Sequence, residues 1–285
     1  MIRLVEMAAR DGLQNEARPI PTAIKVAFVD ALSESGLPEI EVSAFVAPRA
    51  IPQLADAGEV FAAIRRAPGV VYSALVPNER GLERALAARA GKIAVFTAAS
   101  ETFNRRNINA SIDESFERFR PVVEGARCAG LPVRGYVSTA FYCPYEGRVA
   151  PAAAVAVARR LADLGVDEVS IGDTIGRAEP ADVETLLDLL LHAVPAARLA
   201  MHFHDTYGRA VANVLAARRR GVATFDASTG GIGGCPYAPG ASGNVATEAV
   251  IEALRAAGEV VGVDLAALAR ARGVIAASLG RPLRA

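Results

Sequence analysis

Residues 167–205 read DEVSIGDTIGRAEPADVETLLDLLLHAVPAARLAMHFHD and contain two short apolar runs separated by a helical pattern. The runs begin near Asp167 and Arg198 and have the length of strands. Between them, the pattern begins at Pro180 and repeats its apolar residues every three or four positions, at Val183, Leu186, Leu187 and Leu190. A strand, a helix and a second strand in this order predict a β-α-β unit with parallel strands.

The same alternation continues along the whole chain. Eight candidate strands begin near Ile2, Glu39, Val70, Lys92, Pro132, Asp167, Arg198 and Val222. Each gap between them is long enough for one helical crossover. Eight such units predict an α/β protein with one domain, a (β/α)₈ TIM barrel over about residues 1–258 and C-terminal helices over about 259–285. The alternative is an open doubly wound sheet, whose GxGxxG phosphate fingerprint is missing here.

Two of the predicted helices have clear boundaries. The first begins after Pro21 and ends before Gly36 and Pro38, which are typical exit residues. Another begins at Ser111, and Glu114 lies three positions later, which is the spacing of a capping box.

The composition excludes several classes of protein. Of the 285 residues, 52% are hydrophobic, which is enough to bury a full core and excludes extended disorder. Lys plus Arg and Asp plus Glu both number 31, so we expect no nucleic-acid partner and no membrane partner. Charged residues interrupt the first segment where a secretory signal would be apolar. Three cysteines without CxxC spacing favour a reducing compartment, and we expect a cytoplasmic protein.

The pair His202 and His204 is the sharpest chemical feature. Positions i and i+2 of a strand lie on the same face, so both imidazoles point the same way. Such a pair is typical of metal ligation, although two core histidines with hydrogen-bonded partners would give the same pattern. The remaining histidine, His192, lies near the end of a helix and is expected at the surface.

Oxygen ligands come from the ends of other predicted strands. Asp11 follows the first strand, Glu41 lies in the second, Asp173 ends the sixth, and Asn244 follows the eighth. Each alone could cap a turn or pair with an arginine. In a barrel, however, the carboxyl ends of all strands meet at one mouth. Two imidazoles with oxygen ligands suit an octahedral divalent ion such as Mg²⁺, Mn²⁺ or Co²⁺.

Residues 229–244 form a glycine-rich segment around a single cysteine. Six glycines and two prolines surround Cys235 directly after the eighth strand. This composition predicts a loop that closes over a ligand, with Cys235 exchanging a proton there; the alternative is an inert packed thiol. Cys128, before Gly130 on a helix, is expected to be buried, while Cys143 gives no clear indication.

These motifs resemble the 3-hydroxy-3-methylglutaryl-CoA lyases of the DRE-TIM metallolyase group. The resemblance extends from Glu6 to Glu248 and is carried by RDGLQNE (10–16), EVSAFV (41–46), CPYEG (143–147), GDTIG (172–176), HFHDTYG (202–208) and GIGGCPYAPG (231–240). It implies a TIM barrel, one divalent cation (Mg²⁺ or Mn²⁺), an acyl-CoA thioester substrate and a homodimer. The reaction it implies is the cleavage of 3-hydroxy-3-methylglutaryl-CoA to acetyl-CoA and acetoacetate.

The resemblance also implies a role for each matching residue. The implied metal ligands are Asp11, His202, His204 and Asn244. The implied catalytic residues are Arg10, which would stabilise the enolate, Cys235, which would transfer a proton, and Glu41 and Asp173, which would support the site. Arg10 and Gln14 are expected to contact the substrate, and Asp173 or a histidine is a candidate base.

Several alternatives stay open at this point. Ala44 stands where many relatives have a hydroxyl residue, so a lyase for a longer branched 3-hydroxyglutaryl-CoA is one alternative. A Claisen-condensing relative, such as an isopropylmalate or homocitrate synthase, shares the strand-seven histidine pair but not the Cys235 loop. A zinc amidohydrolase would need further histidines after His204, and none is present. A catalytically silent metal- or acyl-CoA-binding barrel is the alternative that is not an enzyme.

Overall fold

The computed structural model describes residues 1–233 and 243–283. Its strands are β1 (Arg3–Glu6), β2 (Glu39–Ala44), β3 (Val71–Leu75), β4 (Lys92–Ala98), β5 (Val133–Ser138), β6 (Tyr142–Cys143), β7 (Gly147–Arg148), β8 (Glu168–Asp173), β9 (Leu199–Phe203) and β10 (Thr224–Ala227). Eight of them pair in parallel and close into a barrel in the order β1-β10-β9-β8-β5-β4-β3-β2. The short β6 and β7 form an antiparallel hairpin outside it. The predicted TIM barrel is confirmed, and the open doubly wound sheet is wrong.

Helices lie between the barrel strands and after the last of them. They are α1 (Thr22–Ser33), α2 (Ala57–Ala63), α3 (Glu79–Ala87), α4 (Glu101–Ile108), α5 (Ile112–Cys128), α6 (Pro151–Leu164), α7 (Pro180–Leu190), α8 (Ala210–Arg219), α9 (Thr247–Ala256) and α10 (Leu265–Leu279). The predicted capping box is present at α5, where Ser111 Oγ accepts a hydrogen bond from Glu114 N at 3.0 Å and Glu114 Oε2 accepts one from Ser111 N at 2.6 Å. None of these helices is both long and apolar enough to cross a membrane, within the described residues.

The segment after α9 returns to the first helix. α10 packs against α1, and Asp264 N donates to Ser35 O at 2.7 Å. Gly36 has φ +79°, and a Cβ there would lie 2.8 Å from Gly262 O, so only glycine fits this approach. Up to residue 283 this segment contains one helix. The division of the chain at about residue 258 stays a prediction.

The two faces of the barrel strands differ in chemistry. In β2, Ile40 and Val42 belong to the apolar layer between strands and helices, whereas Glu39 and Glu41 make ion pairs inside the barrel. This alternation follows the period of two along a strand. Six charged residues, called the barrel ion network below, link the inner faces of six strands: Arg3, Glu39, Lys92, Arg134, Glu168 and Asp226.

The prediction for Cys128 is wrong. Cys128 is exposed at the last position of α5, because the buried face of that helix passes through Phe119, Val123 and Ala126 instead. Cys143 is buried, with its Sγ 3.0 Å from Ser100 Oγ.

Candidate active site

Asp11, His202 and His204 meet at the carboxyl end of the barrel. Asp11 lies in a π-helical turn after β1, His202 lies near the end of β9, and His204 follows that strand directly. One ligand atom of each lies within 4.8 Å of the others. The Nε2 atom of His202 lies 4.0 Å from Asp11 Oδ2, and the two imidazole centroids are 5.3 Å apart. The expected convergence of these three residues is therefore present.

The electrostatics of His204 and Asp11 favour the forms that bind metal. At His202 burial lowers the pKa of the imidazole, but Asp226 on β10 and Asp11 outweigh that effect and raise it. Burial, together with the neighbouring His202, lowers the pKa of His204 to about 4, so its imidazole is neutral near pH 7. Burial alone would raise the pKa of Asp11, but Arg10 and the two imidazoles lower it to about 2. A neutral imidazole and an ionised carboxylate are the ligating forms of these side chains.

Asn244, the last residue of the glycine-rich segment, lies beside the same cluster. It forms an isolated bridge with His204, and its Nδ2 donates to Asp11 Oδ2 at 2.8 Å and to Ile232 O at 3.3 Å. The amide nitrogen, and not the oxygen, thus faces Asp11. Ligation through Oδ1 requires the amide to turn, and it stays a prediction.

The donor set fits a divalent cation. His204 Nδ1 is buried and has no hydrogen-bond partner within the described part of the chain. Leaving a buried polar atom unpaired costs about 1–3 kcal/mol, which is typical of a group kept for a ligand. Two imidazoles and a carboxylate, with an amide beside them, form a donor set that a divalent cation can accept.

Arg10 connects the metal cluster to β2. Its Nε and one terminal nitrogen each lie 2.7 Å from Glu41 Oε2, and its other terminal nitrogen donates to Asp11 Oδ1 at 2.7 Å. Gln14 Nε2 also donates to Asp11 Oδ1, at 2.9 Å. Burial raises the pKa of Glu41, while Arg10 opposes that effect. The guanidinium is therefore fixed beside the cluster by two carboxylates.

Asp173 shapes the turn beside the cluster. Its Oδ1 accepts from Arg177 N at 3.2 Å and its Oδ2 from Ala178 N at 3.0 Å. In that turn Gly176 has φ +69°, and a Cβ there would lie 2.8 Å from His204 O. Both carboxylate oxygens thus serve backbone amides of a turn that packs on His204, an arrangement that suits the predicted supporting role better than that of a base.

A cavity of about 850 Å³ opens above these residues. Its polar lining near the cluster consists of Arg10, Asp11, Gln14, His202 and His204. Its apolar lining includes Val46, Ile51, Leu75, Phe96 and Phe119, and the helices α4 and α5 add Arg106 and Arg118. A volume of this size accommodates an extended small molecule.

A model of the HMGL-like family matches residues 1–275. The chain belongs to the HMGL-like family. It is 51% identical over 279 residues to the hydroxymethylglutaryl-CoA lyase of Pseudomonas mevalonii, covering 98% of this chain and 93% of that protein.

Two further relatives are equally similar. The 3-hydroxy-3-isohexenylglutaryl-CoA/hydroxy-methylglutaryl-CoA lyase of Pseudomonas aeruginosa is 51% identical over 280 residues, again with 98% and 93% coverage. The crystal structure of the HMG-CoA lyase from Brucella melitensis superposes with a TM-score of 0.95 at 52% identity, covering 97% of this chain and 98% of that one.

The site of this HMGL-like chain contains residues that sequence reasoning missed. Asp226 on β10 lies 3.3 Å from His202 Nδ1, and Arg134 on β5 holds that carboxylate at 2.6 Å. Tyr136 lines the cavity, and its hydroxyl donates to Glu41 Oε2 at 3.3 Å. The sequence signal that could have identified them is a charged residue inside a predicted strand. A buried charge needs a partner, and neighbouring strands provide such partners. Cys235 lies outside the described residues.

Proposed function

We propose that the protein cleaves 3-hydroxy-3-methylglutaryl-CoA to acetyl-CoA and acetoacetate, with Mg²⁺ or Mn²⁺ held by Asp11, His202, His204 and Asn244. The observation that carries this proposal is the meeting of the two imidazoles and Asp11 within 4.8 Å, beside Arg10 and under a cavity of about 850 Å³. Relatives about half identical to this chain carry the name of the same activity.

The cation and the side chains of this chain have different roles in the proposed reaction. A divalent cation bound at the cluster would supply a Lewis acid that makes the tertiary hydroxyl of the substrate more acidic. Arg10 lines the cavity and is fixed by Glu41 and Asp11, so its guanidinium meets the developing thioester enolate oxygen without reorganising.

Proton movement completes the balance of the reaction. The hydroxyl proton passes to a base of the site, for which an imidazole of the cluster is the candidate, as the carbon–carbon bond breaks and acetoacetate departs with its new ketone. The remaining enolate of acetyl-CoA takes a proton at carbon, and we assign that donation to the thiol of Cys235, whose ordinary pKa of about 8.5 suits it. We assign Asp173 to support of the His204 segment, because its oxygens accept backbone amides.

A second candidate substrate is a longer branched 3-hydroxyglutaryl-CoA. The apolar lining formed by Val46, Ile51, Leu75 and Phe96 favours it, since this wall offers contact to an alkyl chain larger than methyl. The Pseudomonas aeruginosa relative bears both substrates in its name. Arg106 and Arg118 on the same cavity are suited to the phosphates of CoA, because guanidinium groups bind phosphate oxygens well.

The test is an acyl-CoA profile of the metal-depleted and reconstituted enzyme. We expect acetyl-CoA and acetoacetate from the methyl substrate with Mg²⁺ or Mn²⁺, and a rate at background after chelation. A rate at background with metal restored would refute the assigned substrate. Faster cleavage of an isohexenyl analogue than of the methyl compound would select the second candidate.

We also propose a cytoplasmic homodimer. The cysteine pattern supports a reducing compartment, and the resemblance to the lyases supports a dimer. Sedimentation equilibrium of the purified protein distinguishes one chain of 29.6 kDa from two.

A further inference from the structure

Asp226 is a buried carboxylate with three different partners. It pairs in register with His202 across β9 and β10, and its Oδ2 lies 3.3 Å from His202 Nδ1. The same oxygen accepts from Ser170 Oγ at 2.9 Å, while Oδ1 accepts from Arg134 at 2.6 Å. Asp226 is 2% exposed and is absent from the cavity lining, so it acts on the site only through another residue.

We propose that Asp226 is a positioning residue, oriented by Arg134, that fixes the tautomer of His202 with its proton on Nδ1 and its Nε2 lone pair facing Asp11. The proposal rests on the metal-dependent function proposed above. A carboxylate that accepts the N–H on the non-ligating nitrogen of a metal-binding histidine typically fixes the ring and increases metal affinity.

The donors and acceptors around Asp226 can be assigned because some of its neighbours can act only as donors. A guanidinium has no acceptor, so the Asp226 oxygen that faces Arg134 must accept. Asp226 is ionised beside the Arg134 guanidinium, and an ionised carboxylate has no donor, so its other oxygen accepts from Nδ1–H of His202 and from the Ser170 hydroxyl. In the neutral ring this leaves Nε2 unprotonated, and Nε2 is the atom 4.0 Å from Asp11 Oδ2.

Arg134 is itself held in place. Its Nε lies 2.8 Å from Glu168 Oε1, and Lys92 Nζ lies 3.2 Å from the same oxygen. Its remaining terminal nitrogen donates to the Tyr136 hydroxyl at 3.3 Å. Arg134 is 1% exposed, so bulk solvent has little access to its guanidinium, which stays directed at Asp226.

The variant Asp226→Asn tests the proposal with little change of shape. Arg134 can only donate, so the new amide must turn its oxygen towards Arg134 and its NH₂ towards His202. His202 must then accept at Nδ1 and carry its proton on Nε2, which blocks the ligating atom. We expect the Kd for Mn²⁺, measured by electron paramagnetic resonance titration without substrate, to rise 10- to 100-fold.

Two companion variants separate positioning from general damage. Ser170→Ala removes a neighbouring hydrogen bond to the same oxygen but leaves Arg134 and His202, so we expect a Kd within threefold of the wild type. In Asp226→Asn/Arg134→Gln the donor-only group is gone, the amide can turn its oxygen to Nδ1–H, and we expect at least a fivefold recovery of Mn²⁺ affinity. A wild-type Kd in Asp226→Asn would overturn the proposal, as would no recovery in the double variant.

The tautomer itself gives a test that does not depend on a variant folding. The chain has three histidines, so ¹⁵N-histidine labelling gives six ring nitrogens to assign. We expect His202 of the metal-free wild type, at a pH where its ring is neutral, to carry the proton on Nδ1. A proton on Nε2 would refute the proposal. Because these measurements use no substrate, failure to cleave 3-hydroxy-3-methylglutaryl-CoA would leave them unaffected.

Discussion

Arg10 and Glu41 form a buried pair whose two halves can be removed separately. Arg10 is 6% exposed and Glu41 is fully buried, and two guanidinium nitrogens lie 2.7 Å from one Glu41 oxygen. In Arg10→Met, Glu41 keeps only the Tyr136 hydroxyl at 3.3 Å among the described side chains. Stranding a buried charge in this way costs about 3–5 kcal/mol, so we expect a loss of that size in the free energy of unfolding.

The double variant Arg10→Met/Glu41→Gln removes the stranded charge. Replacing both partners of a buried pair by neutral groups of similar size is nearly neutral, so we expect it to recover at least about 2 kcal/mol. Both variants should remain about 10²- to 10³-fold below the wild type in kcat, because the guanidinium that meets the enolate is absent from each. A comparison of the single and double variants therefore separates the effect of Arg10 on stability from its effect on activity.

The assay is urea unfolding at several pH values beside steady-state turnover. Burial raises the pKa of Glu41, and removal of Arg10 raises it further, so the folded single variant binds this proton more tightly than the unfolded chain. Its stability is therefore lost as pH rises, and we expect a larger deficit at pH 8 than at pH 5. A deficit below about 1 kcal/mol at pH 8, or no recovery in the double variant, would refute the reasoning.

Three further predictions concern the metal cluster, Cys235 and the buried carboxylate Glu6 on β1. His204→Ala should weaken Mn²⁺ binding at least tenfold in a titration, whereas the exposed control His192→Ala should leave it unchanged; equal affinities would remove His204 from the ligand set. Cys235→Ser should slow turnover at least 10²-fold with Mn²⁺ affinity unchanged, and a parallel loss of both would show that its assigned role is wrong. Burial raises the pKa of Glu6 to about 7, so wild-type stability should fall by roughly 3 kcal/mol relative to Glu6→Gln as pH rises from 4 to 8, and parallel pH profiles in urea unfolding would contradict this.

The barrel could be predicted because its signals are local. Strand starts, the exit of α1 at Gly36 and the capping box at Ser111 depend on neighbouring residues in the chain, and the structure confirms each of them. Convergence of Asp11 with His202 also follows, because every strand ends at the same mouth. The prediction for Cys128 was wrong because residues two positions apart on a helix lie on different faces. Ala126 is on the buried face and Cys128 is not, and the sequence pattern did not establish this.

The partners of the site residues could not be predicted in the same way. Asp226 meets His202 because β9 and β10 pair in one particular register, and a shift of one residue would direct Asp226 away from the interior. Arg134 reaches Asp226 from β5, which is not a neighbour of β10 in the barrel. Contacts across a barrel depend on how the whole sheet closes, and a local sequence pattern does not specify that closure.

The barrel ion network needs an explanation other than stability. Buried ion pairs are often no more stabilising than apolar side chains of the same volume, yet this interior holds three cations and three carboxylates. On the proposal made for Asp226, the network has a positional role, because Lys92 and Glu168 fix Arg134 and Arg134 fixes Asp226. Glu168→Gln should then weaken Mn²⁺ binding, although Glu168 makes no contact with the metal cluster, whereas a purely structural network would lower only the free energy of unfolding.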